Sequence, residues 1–175
     1  VATTAIVGTT YTQDLLAQTA SGTTADKKTN FLIILLDDMG YSNLGAFGGE
    51  IPTPNIDKLA AEGIIFTNFY SAPASTPARA MLFTGKDSHV AGVGTMTGLL
   101  RPEQSGPDGK PLPAYQVRLS KEVLPISELL LNNGYNTMIS GKWDLGLEEG
   151  YRPKDRGFSQ DFALLPAGDS FFMSD

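Results

Sequence analysis

The sequence predicts an α/β fold, a largely parallel, mixed sheet with helices on both faces. Three observations carry this expectation. Phe31 to Leu36 is a continuous apolar run without alternation, the pattern of a strand covered on both faces. Strand-like and helix-like stretches then alternate along the chain, as they do in α/β domains. Polar clusters, finally, follow directly on the ends of strands, where an open α/β sheet keeps its ligands.

The 175 residues and 41% hydrophobic content suffice for a folded domain with its own core. A net charge of −6, a pI near 4.7 and 13 scattered basic residues exclude nucleic acid as the partner, because phosphate neutralisation needs clustered Lys and Arg. The absence of cysteine excludes disulfides and thiolate metal sites. No run approaches the roughly eighteen apolar residues of a membrane span. Val1 in place of Met reads as a processed N-terminus, and a secreted or periplasmic protein is expected.

Taken in order, residues 1–29 are rich in Thr, Ala and Ser and read as an N-terminal arm or linker, with a helical turn around Asp14-Leu15-Leu16. The strand at Phe31–Leu36 ends in Asp37-Asp38, either the cap of a turn or a pair of oxygen ligands for a hard divalent cation. After a Gly-rich loop from Gly45 to Gly49, Thr53 is the expected N-cap of a helix that starts at Pro54. Its buried stripe is Ile56, Leu59 and Ala60, and Gly63 stops it. Ile64 to Tyr70 reads as a second strand.

Ser75-Thr76-Pro77-Ala78-Arg79 then opens a short apolar helix that closes at Thr84-Gly85. Pro77 suits a first turn, where its missing N–H costs nothing, and the free amides there point at whatever lies beside Ser75. Arg79 adds a planar fork of donors for a tetrahedral oxyanion. Taken alone, the stretch also reads as a capped helix with a surface arginine. Arg101 to Ala114 is rich in Pro, Gly and charge, the mark of a surface insertion. Leu124 to Leu131 has helical spacing, with Ser127 and Glu128 near its start and Gly134 at its end. Tyr135 to Ser140 is the third strand, and it delivers Gly141-Lys142-Trp143-Asp144 to the rim that holds the other two clusters. No chemistry is read in Tyr151 to Asp175.

The eleven residues Ser75 to Gly85 resemble the sulfatase signature, whose first position is a Cys or Ser oxidised to formylglycine. Asp37-Asp38-Met39-Gly40-Tyr41, Pro52-Thr53-Pro54-Asn55-Ile56-Asp57 and Gly141-Lys142-Trp143 resemble further landmarks of that family, in family order. The resemblance runs from about Asn30 to Phe158 and is to arylsulfatase-like members of the alkaline-phosphatase superfamily. It implies an alkaline-phosphatase-like sheet of which this chain is the N-terminal part, with 30–175 an incomplete catalytic domain. The remainder of that domain is then a partner, and apolar surface and strand edges are exposed without it.

For function, the resemblance implies hydrolysis of sulfate esters, of small molecules or of carbohydrate. Ser75 is implied as formylglycine precursor, Arg79 as orienter of the nucleophile and Lys142 as the contact to sulfate or diol. Asp37 and Asp38 are implied as ligands of Ca2+, with Mg2+ the alternative, and further ligands are expected beyond Asp175. His89, the only histidine, stands where the family has no catalytic residue, so a structural role is expected.

Two positions depart from the family. Ser75 stands where most members have Cys, and an unconverted serine is a poor nucleophile without a base or metal. Asp144 stands where the pattern G-K-W-H expects His. A carboxylate beside a sulfate ester costs on the order of several kcal/mol unless it is protonated, turned away or bound to a cation. Reduced or absent turnover is therefore expected from Asp144. Two other readings follow: a catalytically impaired pseudoenzyme that binds sulfated ligands, and a phosphate or phosphonate monoester hydrolase of the same superfamily.

Overall fold

In the computed structural model, residues 5–7, 28–96 and 98–166 are described. They fall into two compact units, residues 1–71 and 72–175. The helical turn expected around Asp14 lies outside the described residues.

In the first unit, strand β1 (Ala5–Val7) pairs antiparallel with β2 (Ile33–Leu35), Ile6 opposite Ile34. The expected six-residue strand is thus three residues long, and part of the N-terminal arm is its partner. The expectation of cover on both faces is not met: Ile33 and Ile34 are 42% and 46% exposed, and Phe31 and Leu32 are exposed too. The apolar run encodes burial, but nothing in this unit's described residues provides it. Helix α1 spans Pro54–Glu62 between Thr53 and Gly63, as the capping signals predict. Of its expected stripe only Ala60 is buried. Thr53 does not cap with its hydroxyl. It accepts the Gly45 N–H (2.9 Å) and donates to Asp57 Oδ1 (2.8 Å), which also takes the Ala46 N–H, so the helix start clamps the Gly-rich loop.

The strand expected at Ile64–Tyr70 is not formed. The segment has no ladder partner among the described residues, and a lone extended segment leaves its peptide groups to water. Ile64, Ile65, Phe66, Phe69 and Tyr70 are all exposed.

The second unit holds the core. Helix α2 spans Ser75–Thr84 and ends on Gly85, whose left-handed backbone (φ 63°) lets its N–H reach Met81 O at 2.8 Å. Helix α3 is Ile126–Asn132. Strand β3 (Met138–Lys142) runs parallel to β4 (Gln160–Leu164), Ser140 opposite Phe162. β3 begins later than the Tyr135 expected, because Thr137 is occupied in a knot with Ser159. Each residue's hydroxyl and backbone bond the other, and Thr137 Oγ1 also donates to Gly157 O at 2.6 Å. β4 was not foreseen at all. Its alternating faces mix Gln, Asp and a Phe162 that is 86% exposed, so it lacks the apolar run of a buried strand.

Ala80, Ala91, Val93, Leu119, Val123, Trp143, Leu145 and Phe158 form the core, with Phe83 packed against it. The rings of Phe83, Trp143 and Phe158 meet edge to face, 5.4–6.0 Å apart. Arg156 fastens the rim of this core. Buried, it donates to the carbonyls of Leu119 (2.9 Å), Ser120 (3.2 Å) and Val123 (2.9 Å) and pairs with Glu128 of α3 at 2.8 Å.

Candidate active site

Helix α2 sets one wall of the site. Ser75 and Arg79 are one turn apart on the same face, and the Arg79 Nε–H donates to Ser75 Oγ at 3.2 Å. Arg79 is only 6% exposed, and its Nη1–H reaches across to Lys142 O at 2.8 Å. One planar fork therefore ties the serine to the end of β3. A donor cannot accept the serine proton; it can only favour negative charge on that oxygen.

The other wall is the stretch after β3. Trp143 is fully buried, its indole N–H donating to Tyr151 O at 3.0 Å, and its ring lies on Phe83 of α2. Its backbone N–H bonds Leu164 O (2.8 Å) and that of Asp144 bonds Leu165 O (3.0 Å), so the chain stays tied to the end of β4 beyond the last ladder pair, Lys142 with Leu164. With Trp143 pointing into the core, the side chains on either side of it, Lys142 and Asp144, meet each other on the opposite side.

They meet as an ion pair. Lys142 Nζ lies 3.7 Å from Asp144 Oδ2, with both side chains largely buried. The same Oδ2 accepts the Thr76 hydroxyl at 2.8 Å. Asp144 is 4% exposed and adopts a left-handed backbone (φ 56°), a conformation that Asp tolerates. Of the three ways to relieve a carboxylate beside an anion, this chain uses the bound cation, and the cation is its own lysine.

The second unit thus brings Ser75, Arg79 and Lys142 together and adds two residues. Thr76 is one that the sequence did not single out. It lies inside the signature, but its partner is 68 positions away and a threonine in a first helical turn is ordinary.

Asp37 and Asp38 belong to the first unit. Both are exposed, directly after β2, and Asp38 also has a left-handed backbone (φ 55°). Their carboxylates are the hard oxygen donors that Ca2+ or Mg2+ takes. Among the described residues no group of three or more His, Cys, Asp or Glu gathers as a cation shell, so the pair fits part of a shell, not a whole one. His89 sits in a local turn: its N–H donates to Asp87 Oδ1 (2.9 Å), which holds the Asp87 carboxyl below its usual range, and its ring packs edge-on to Tyr115.

A family model described as Sulfatase matches residues 29–174. An uncharacterized sulfatase of Schizosaccharomyces pombe is 47% identical over 146 residues, covering 83% of this chain and 26% of that protein. An arylsulfatase of Klebsiella aerogenes is 42% identical over 146 residues, covering 83% and 30%. Among solved structures, Ps i-CgsB in complex with k-i-k-neocarrahexaose superposes with a TM-score of 0.64 at 34% identity, over 78% of this chain and 28% of that one. The chain thus spans about a quarter to a third of the length of these relatives. The α/β, alkaline-phosphatase-like fold expected from the sequence is the one these superpositions share.

Proposed function

This chain belongs to the sulfatase family, and from that premise we propose that it carries the anion-gripping part of a sulfuric ester hydrolase. The observation that supports this most is Arg79. Its one guanidinium holds Ser75 Oγ and the carbonyl of Lys142, so nucleophile position and cations converge from two elements. Conversion of Ser75 to formylglycine would supply a hydrated aldehyde oxygen for attack on sulfur. A divalent cation, calcium before magnesium, would supply charge opposite the sulfuryl oxygens, with Asp37 and Asp38 among its ligands.

The chain's own residues do the rest. Arg79 Nε–H orients the oxygen carried at position 75 and lowers the cost of charge on it. Lys142 faces the charge that builds on the sulfuryl group as the S–O bond to the alcohol breaks. The substrate class we favour is sulfated carbohydrate, because one solved relative is bound to a neocarrahexaose. A polymeric substrate of that kind calls for an enzyme outside the cytoplasm, secreted or periplasmic. The remaining metal ligands and the group acting on the leaving oxygen would come from the rest of the catalytic domain.

The test is mass spectrometry of the peptide containing Ser75, from protein made beside its maturation system, together with an aryl sulfate assay. A mass two hydrogens below serine, with turnover, supports the proposal. Unmodified serine without turnover, but with retained binding of a sulfated oligosaccharide, moves the reading to a binding pseudoenzyme.

A further inference from the structure

The Asp144 carboxylate is an unusual neighbour for an anion site. It is buried, it is held by the hydroxyl of the residue next to Ser75, and it shares the ammonium of Lys142. Resting on the sulfatase reading above, we infer that Asp144 is a specificity-determining residue that selects monoanionic sulfate esters against dianionic phosphate monoesters.

The argument does not depend on what else surrounds the site. A fixed negative charge raises the energy of a bound anion in proportion to that anion's charge. A sulfate monoester carries one negative charge; a phosphate monoester above pH 7 carries nearly two. Whatever cations the complete site contributes, the carboxylate penalises the second ester about twice as much as the first. Selection by a repulsive element of this kind is a recognised route to specificity. Thr76 and Lys142 make the device durable: the hydroxyl fixes Oδ2, and the ammonium lies 3.7 Å from the same oxygen and holds it in place. At about 6 Å and an effective dielectric near 20, one unit charge changes an anion's affinity by about a hundredfold. Allowing for screening, the preference attributable to Asp144 is tenfold or more.

The test compares the full, matured chain with its Asp144→Asn and Asp144→His variants at pH 8, on 4-nitrophenyl sulfate and 4-nitrophenyl phosphate. Both substitutions remove the charge, and both residue types tolerate a left-handed backbone, so agreement between them isolates charge from shape. The expected result is a drop of tenfold or more in the sulfate-to-phosphate ratio of kcat/KM, whatever happens to either rate alone. A loosened fold slows both esters by a common factor, and a displaced Lys142 costs the dianion more than the monoanion; an unchanged or increased sulfate-to-phosphate ratio overturns the inference. Turnover of neither ester by the parent protein counts against the sulfatase reading instead. The ratio is then read from dissociation constants of phenyl sulfate and phenyl phosphate in a Ser75→Ala background, where a tenfold relative gain for the phosphate on Asp144→Asn supports the inference and no relative gain overturns it.

Discussion

Arg79 uses two different nitrogens for two partners, Ser75 Oγ and Lys142 O. A lysine has one nitrogen and no fork. Arg79→Lys is therefore expected to lower kcat/KM on an aryl sulfate by about 10²–10³, the usual consequence of losing one preorganised donor at developing charge; a loss under tenfold would show that the fork is dispensable. For the carboxylates after β2, calcium added to metal-stripped protein is expected to raise the thermal midpoint by mass action. Asp37→Asn or Asp38→Asn should weaken that rise, and an undiminished rise in both would remove them from the shell. Ser75, Arg79, Lys142 and both aspartates can be singled out in the sequence because each sits in a contiguous motif whose residue types are tied to one chemistry, and the second unit brings the first three together. Thr76 cannot be, since nothing about a helix-start threonine announces a carboxylate far along the chain.

The elements were legible where local chemistry decides them. Thr53-Pro54 and Gly63 bracket α1, and Gly85 closes α2, because caps act within one turn. Strands need partners, which local sequence does not name: Ile64–Tyr70 has none among the described residues, and β4 is hidden by its own exposure. Two glycines with the same handedness separate strain from contact. Gly85 (φ 63°) has nothing within 4 Å of where a Cβ would stand, whereas at Gly157 (φ 86°) a Cβ would lie 2.3 Å from the Glu128 backbone nitrogen of α3. Gly85→Ala should cost about 1–2 kcal/mol of conformational strain. Gly157→Ala should cost more than that again, on the order of 4 kcal/mol, because α3 must move; equal midpoints in urea for the two variants would contradict the close approach. Arg156→Lys, which cannot span three carbonyls and Glu128 together, is expected to cost about 3 kcal/mol in the same measurement.

At the scale of the molecule, apolar residues sort unevenly. Among the described residues of the second unit, a buried set closes on Trp143, Leu119 and Phe158, while others, Leu99, Met138 and Phe162 among them, stay exposed. Among the described residues of the first unit a good part of them faces outward, among them Phe31, Leu32, Ile64 and Phe66. A dye such as ANS, which reports accessible apolar surface, is expected to brighten on the 175-residue chain and to brighten less when Leu32 and Phe66 are both changed to Ser. No difference between the two would mean that this surface is covered in solution. Such exposure is what the sequence leads one to expect from the family's greater length, and the cited relatives are about three times as long as this chain.

The left-handed backbone at position 144 (φ 56°) also has a meaning in the currency of inheritance. Besides glycine, that conformation is open mainly to Asn, Asp and His. Those three amino acids have codons differing from one another in the first base alone. A lineage can thus pass between a histidine and an aspartate here by a single mutation that leaves the chain path undisturbed, whereas most other exchanges would have to bend it. The backbone channels variation at this one site into a short menu whose members differ chiefly in charge, and so offers selection a ready means of retuning which anions are accepted.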